Sequence, residues 1–364
     1  MKAAFIADVH AGNHRVLGGA VTAGINDRCR AALSTLREAR RLADEERCYA
    51  LFILGDLFDT HRPSPQVITA TADALAPVGT ERGSMQVVVL VGNHDRATAA
   101  LGDNALGPLA RVPNLVIVER PKLVGDVLCV PYHSGNPKEW LSDALILGTE
   151  STVLATHFGI YDAEFARANP WCVGTDAIEV EQLFELMRVF GVKACYSGDW
   201  HVSRAWVNRD LVIQQVGALV PTGFDNPGVG GYGGMHVVDT DNLWGDTRYT
   251  LRGPRFVEVR EPHELYEALA EAKEEEHSLY VRWKAQPSEM ATARATLAAC
   301  DDVFAGQVVL DNKVVKTAAH RAAESARSQE TLVAAARGFV SSIDLPDDLR
   351  REDVWDLTAE CLGV

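Results

Sequence analysis

The chain has 364 residues, 47% of them hydrophobic and 23% charged, which is the composition of a soluble globular protein with room for a sizeable core. Its formal net charge of −15 argues against a protein that coats nucleic acid by electrostatics alone, although a carboxylate-rich metal site would itself add negative charge. No apolar run approaches the ~20 residues of a membrane span, and the seven cysteines are scattered without a CxxC pair.

The N-terminus places one Lys before an apolar stretch too short for a secretory signal, and Asp8 and His10 follow at once. It reads as the buried first strand of a cytosolic protein. Residues 3–7, 50–54, 86–91, 151–156 and 193–197 are short runs rich in Val, Ile, Leu and Phe, each closed by polar or Gly residues, and are predicted to be buried strands. Between them, residues 28–46 and 179–190 carry apolar side chains at helical spacing, so the first 200 residues alternate strand and helix. Cys129 and Cys195 sit in apolar runs and read as small core residues.

After His201 the pattern becomes a series of strands, 205–207, 211–215, 236–239 and 246–251, expected to form a second sheet packed on the first. Residues 221–234, rich in Gly and Pro, are either an ordinary long turn or a loop over the site. A boundary falls near Gly253-Pro254, dividing the chain into a domain of residues 1–253, a βαβαβ unit of residues 254–314, and a linker with a helical hairpin over residues 315–364. The hairpin helices, 329–341 and 349–362, are too small to stand alone, so their apolar stripe must dock on the parent domain or on a partner.

Five polar motifs follow predicted strands: Asp8-Val9-His10, Gly55-Asp56-Leu57-Phe58-Asp59, Gly92-Asn93-His94-Asp95, Thr156-His157 and Gly198-Asp199-Trp200-His201. Polar groups at the carboxyl ends of neighbouring parallel strands converge on one crevice. Alternate residues of an extended segment point the same way, so Asp8 and His10 are expected to face one ion together. Carboxylate, imidazole and amide oxygen ligands suit Mn²⁺, Fe²⁺ or Zn²⁺. Taken singly each motif is weak, because Gly-Asp is often only a turn and a lone histidine after a strand is more often a hydrogen-bonded core residue. Their conjunction, in order and each at a strand end, is what carries the reading. The remaining histidines (His14, His61, His133, His236, His263, His277 and His320) have no such support, and surface roles are the default for most of them.

The series resembles the calcineurin-like metallophosphoesterase family, whose pattern is D-x-H, GD-x-x-D, GNH-[DE], H and GH-x-H; the likeness covers roughly residues 1–250. The resemblance implies a four-layer α/β/β/α sandwich with a small α/β cap domain and a C-terminal helical hairpin. It also implies two divalent metal ions, Mn²⁺ first, with Mg²⁺, Fe²⁺ or Zn²⁺ as alternatives. Asp8, His10, Asp56 and His201 would hold one ion, and Asp56, Asn93, His157 and Asp199 the other. His94 would act on the leaving oxygen and Asp95 would orient it. This chain departs from the pattern at Asp199, where the family usually has His; aspartate remains a competent ligand for a hard divalent ion.

The string Gly55-Asp56-Leu57-Phe58-Asp59-Thr60-His61-Arg62-Pro63-Ser64-Pro65 is similar to the corresponding segment of SbcD-type DNA repair nucleases, as is the order of catalytic domain, cap and hairpin. The modest size suits a phage version. That resemblance implies an exo/endonuclease acting on DNA, a homodimer, and a hairpin that binds an SbcC-like SMC-family ATPase, in the cytoplasm and away from membranes. Arg15, Arg28, Arg62 and Arg96 lie near the site loops and are either phosphate-backbone contacts or solvated surface arginines. Two other functions stand beside the nuclease: a stand-alone phosphodiesterase or phosphatase on small phosphoesters, which the acidic charge favours, and a non-catalytic scaffold, which the retained ligand set disfavours.

Overall fold

A computed structural model describes residues 1–77, 85–148, 151–169, 173, 176–224, 234–251, 253–274, 279–300, 303–310, 336–337, 340–341 and 350–362. The chain divides into two compact units, Met1–Val309 and Leu310–Val364.

Two six-stranded sheets build the larger unit. In the first, the strands run in the spatial order Asn242–Thr250, Gly234–Asp239, Lys2–Ile6, Ala50–Ile53, Gln86–Leu90 and Leu115–Val118. The last four are parallel, while Gly234–Asp239 runs antiparallel to Lys2–Ile6. In the second, the order is Arg204–Asn208, Leu211–Gln215, Ala194–Gly198, Val153–His157, Val127–Val130 and Lys122–Val124, with antiparallel edges around four parallel strands. The strands after His201 therefore do not form a sheet of their own. Arg204–Asn208 and Leu211–Gln215 complete the second sheet, and the other two complete the first.

Side-chain alternation produces the layers. From the first strand, Ala4 and Ile6 point into a core shared with helices Asp27–Glu45 and Pro65–Leu75. Ala3, Phe5 and Ala7 point the other way, into the interior between the sheets. Leu154 and Cys195 of the second sheet face helices Pro137–Ile146 and Val180–Phe190, whose Leu141, Leu145, Leu183 and Met187 close the fourth layer. Both central sheets are buried on two faces, which is why their strands read as unbroken apolar runs. Cys129 and Cys195 are fully buried, as their surroundings predicted. Phe5 and Tyr196 stack across the sheet interface with centroids 4.2 Å apart and rings parallel to within 2°. Each lies three residues before a motif aspartate, Asp8 and Asp199, so this contact fixes the sheet spacing beneath those loops.

The three-stranded sheet Arg255–Val259, Leu279–Ala285 and Val303–Leu310 packs with helices Pro262–Glu274 and Met290–Ala298 around its own apolar cluster. Arg28 ties this part to the sandwich: its guanidinium donates to the Thr222 carbonyl and lies 5.0 Å from the Phe256 ring centroid. Arg282 is held 3.8 Å over Phe224 in the same region. Most of the predicted loop at residues 221–234 lies outside the described residues, as does most of the helix predicted at 329–341. In the smaller unit, helix Arg351–Leu362 receives Arg337 over its Trp355 ring, and Arg351 donates to the carbonyls of Val340 and Ser341. Among the described residues no helix is long and apolar enough to cross a membrane.

Candidate metal centre

All five motifs meet at one crevice, at the carboxyl ends of parallel strands. The loops are zipped beyond the strands: His10 N–H donates to the Asp56 carbonyl at 3.0 Å, and Ala11 N–H to the Leu57 carbonyl at 2.9 Å. Leu219 N–H donates to the Ala7 carbonyl at 2.8 Å and Ala218 N–H to that of His201 at 3.0 Å, bringing the loop of the second sheet against the first strand.

The expectation that Asp8 and His10 share an ion because their backbone is extended has the wrong physical basis. Both have positive φ, 51° and 48°, and so do Asp56 at 49° and Asp199 at 87°. Four carboxylate- or imidazole-bearing residues in left-handed backbone at one place is stored strain, of the kind that concentrates at functional sites. The turns nonetheless bring ligand atoms of Asp8, His10 and His201 within 4.8 Å of one another, and likewise those of Asp8, Asp56 and His157, and of His10, Asp56 and His94. Asp8, His10 and Asp56 each belong to two of these groups.

Individual contacts refine this arrangement. His10 Nε2 and His201 Nε2 face each other at 3.0 Å. His157 Nδ1 donates to the Leu54 carbonyl at 2.6 Å, which directs its Nε2 toward Asp56 Oδ1 at 3.5 Å and Asp199 Oδ1 at 3.9 Å. One terminal amide atom of Asn93 lies 2.9 Å from His157 Nε2 and 3.0 and 3.2 Å from the two Asp56 carboxylate oxygens. Asp199 N–H donates to both Asp8 oxygens, at 3.1 and 3.2 Å. Gly55 and Gly92 make this density possible. A Cβ at Gly55 would lie 2.2 Å from His157 Nδ1, and one at Gly92 would lie 2.1 Å from Asp56 Oδ1.

Electrostatics follow from packing three carboxylates and three imidazoles out of water. Burial drives the His10 imidazole down to about 3 and lowers His201 as well, which keeps both neutral and able to offer a lone pair. Burial also pushes His157 down, but Asp56, Asp8 and Asp199 outweigh it and hold it up at about 10. Burial raises Asp199 to about 6 and Asp8 well above the usual carboxylate range. Asp56 feels the same burial, yet the histidines around it hold it below that range. His157 carries a proton only because carboxylates surround it, and that is the arrangement in which a divalent cation replaces protons. Oxygen and nitrogen donors alone, in overlapping clusters that share Asp8, His10 and Asp56, fit a pair of hard or borderline divalent ions.

One sequence expectation needs correction. Asp95 does not orient His94. Its buried carboxylate accepts from the backbone N–H groups of Phe58 at 2.9 Å, Gly92 at 3.0 Å and Leu57 at 3.3 Å, so it staples two site loops together. His94 Nδ1 instead donates to the Asp59 carbonyl at 2.9 Å, and its side chain is exposed. Two of the remaining histidines are the exceptions to a surface role. His236 is buried and pairs with Asp246 at 2.8 Å, and His14 bonds the His10 carbonyl at 3.2 Å. Arg15 and Arg62 are exposed, and Arg96 is half-buried with its backbone bridged to Asn104. Arg28 is committed to Thr222 and Phe256, so its guanidinium is not a free phosphate contact.

The sequence reading missed the second ring of residues. Thr222 Oγ1 pairs with His201 Nδ1 at 3.1 Å. Tyr132 hydrogen-bonds Asp176, and its ring stands edge-on to His157 with centroids 6.3 Å apart. The apolar run Val127–Val130, ending in Pro131-Tyr132, carried the signal of another parallel strand aimed at the crevice.

Comparison with known proteins agrees with this geometry. The model of the calcineurin-like phosphoesterase family matches residues 1–203. The chain belongs to that family. Among curated proteins nothing matches. Solved structures similar to this metallophosphoesterase include GAP50 of Plasmodium, described as the anchor in the inner membrane complex, at 13% identity and a TM-score of 0.41, covering 69% of this chain and 89% of that one. A dimetal phosphatase from Danio rerio matches at 12% identity and a TM-score of 0.38, over 60% of this chain and 88% of that one. An archaeal phosphodiesterase matches at 13% identity and a TM-score of 0.33, over 68% and 99% respectively.

Proposed function

We propose that this metallophosphoesterase hydrolyses phosphodiesters with two divalent ions, Mn²⁺ foremost, and that its substrate is DNA. The carrying observation is the convergence of oxygen and nitrogen donors from five strand ends on overlapping clusters, with Asp8, His10 and Asp56 each common to two. Asp8, His10, Asp56 and His201 would hold one ion; Asp56, Asn93, His157 and Asp199 the other. When bound, such ions supply an activated water and neutralise charge on the phosphoryl group. The chain's own residues do the rest. His94, with Nδ1–H committed to the Asp59 carbonyl, presents Nε2 to the departing oxygen, and Asp95 keeps the Leu57–Phe58 and Gly92 loops in register.

The DNA reading is supported by the SbcD-like string at Gly55–Pro65 and by the succession of sandwich, three-stranded cap and C-terminal helix. In it the chain forms a homodimer and docks an SbcC-like ATPase through its C-terminal hairpin, and Arg15, Arg62 and Arg96 contact phosphates. The net charge of −15 favours a second reading, a stand-alone esterase for small phosphoesters. The two separate in one assay. Mn²⁺-loaded protein is offered labelled duplex DNA and bis-p-nitrophenyl phosphate, with and without the partner ATPase. Cleavage of both supports the nuclease; cleavage of the small ester with DNA untouched in every condition eliminates it.

A further inference from the structure

Residues 220–224 follow the strand Leu211–Gln215 in sequence and contact both the metal centre and the three-stranded cap. The approach to them is fixed by backbone, since Leu219 N–H donates to the Ala7 carbonyl at 2.8 Å and Ala218 N–H to that of His201 at 3.0 Å. Gly217, with a φ of 81°, lets the chain pass this close: a Cβ there would lie 2.8 Å from the Ser203 nitrogen and 3.0 Å from the His201 carbonyl oxygen. Thr222 then faces two ways. Its Oγ1 lies 3.1 Å from His201 Nδ1, and its carbonyl accepts from the Arg28 guanidinium.

Two residues on, Phe224 is gripped by the cap. The Phe256 ring stands edge-on to it with centroids 5.3 Å apart and 83° between the planes, and the Arg282 guanidinium lies 3.8 Å from its centroid. Both partners are themselves anchored. Phe256 stacks on Tyr280 at 4.6 Å, both rings buried, and Arg282 pairs with Glu258 at 3.0 Å. Arg28, which holds the Thr222 carbonyl, also lies 5.0 Å from the Phe256 ring centroid. The cap therefore reaches this short segment at the Phe224 side chain and, through Arg28, at the Thr222 backbone.

We propose that Thr222 is a positioning residue for His201, and that the cap tunes metal affinity by holding Thr222 in place. A neutral imidazole that ligates through Nε2 carries its proton on Nδ1, and Thr222 Oγ1 is placed to accept it. That bond turns the Nε2 lone pair toward His10 Nε2, 3.0 Å away in the first donor cluster. Threonine is stiff at χ1, so a shift of the backbone at 222 carries Oγ1 off the ring. The assignment rests on the two-metal reading of the centre and adds to it a dependence on the cap, which supplies no ligand.

Calorimetric titration of the full metal-free chain with Mn²⁺ tests this. The wild type is expected to take up two ions. Thr222→Val, which keeps the shape and deletes the acceptor, weakens one of them by about tenfold, and Thr222→Ser restores it. Phe224→Ala weakens the same ion by about fivefold. Arg282→Gln, which loosens the same ring from outside the core, shows a loss in the same direction. When Thr222→Val and Phe224→Ala are combined, the loss stays near the roughly tenfold of Thr222→Val alone, because both act through one bond. Unchanged Mn²⁺ affinity in Thr222→Val overturns the positioning role, as does a loss that Thr222→Ser fails to restore, the mark of a fold defect. Losses that multiply in the double variant, or wild-type affinity in Arg282→Gln, overturn the link through the cap. A wild-type chain that takes up no Mn²⁺ defeats the two-metal reading itself, and the proposal with it.

Discussion

The metal centre and the groove along edge strand Arg204–Asn208 use opposite means to hold their side chains. In the centre every ligand candidate is locked by backbone: zipped loops, left-handed residues, and glycines admitted because a Cβ would collide. In the groove, Asp162 accepts from Trp206 Nε1 and Arg204 stacks on Phe165, side chain against side chain, on an edge strand and a six-residue helix, Ala163–Ala168, both open to water. Rigid, buried geometry suits chemistry that fails when an atom moves by an ångström. An exposed edge built of side-chain contacts carries no such demand.

Several substitutions can break or sharpen that contrast. Asp56→Asn should be the most damaging, because it weakens both donor clusters at once. Loss of several kcal/mol of charge stabilisation corresponds to about a thousandfold or more in kcat/KM on bis-p-nitrophenyl phosphate. Near-normal turnover would show that Asp56 is not shared. Asp199→Ala is expected to lower the bound metal from two ions to one, counted by elemental analysis, and to remove most activity. A fully active variant retaining both ions would remove Asp199 from the ligand set. Acid should act more gently and in one direction. The Asp199 carboxyl, raised by burial to about 6, must lose its proton to bind an ion. Mn²⁺ affinity should therefore fall as pH drops, with the His157 proton displaced across neutral pH and the Asp199 proton added below about 6, by about tenfold per unit for each proton displaced. A dissociation constant flat between pH 5 and 8 would contradict this.

The sequence disclosed the centre far better than it disclosed the groove. Buried parallel strands are continuous apolar runs, so residues 3–7, 50–54 and 86–91 stood out, and a polar motif after each was visible without coordinates. Which sheet a strand joins is set by distant partners, and nothing local told Leu211–Gln215 from Gly234–Asp239. Left-handed backbone at Asp8 and His10 was equally hidden, because aspartate and histidine tolerate it without requiring it. Asp95 was misread because its neighbour in sequence is a histidine, while its partners in space are three backbone amides. Phe165, Arg204 and Trp206 come from a helix and an edge strand some 40 residues apart, and no spacing rule joins them.

The positive φ of Asp8, Asp56 and Asp199 also governs how mutants of this protein should be interpreted. Alanine at such a position keeps a Cβ in backbone that costs it about 1–2 kcal/mol and loses the short polar side chain whose local hydrogen bonds let aspartate tolerate that conformation, whereas glycine carries no such cost. An alanine scan here would therefore conflate lost ligands with lost folding. Comparing Asp199→Gly with Asp199→Ala separates the two, because both delete the ligand and only one strains the turn.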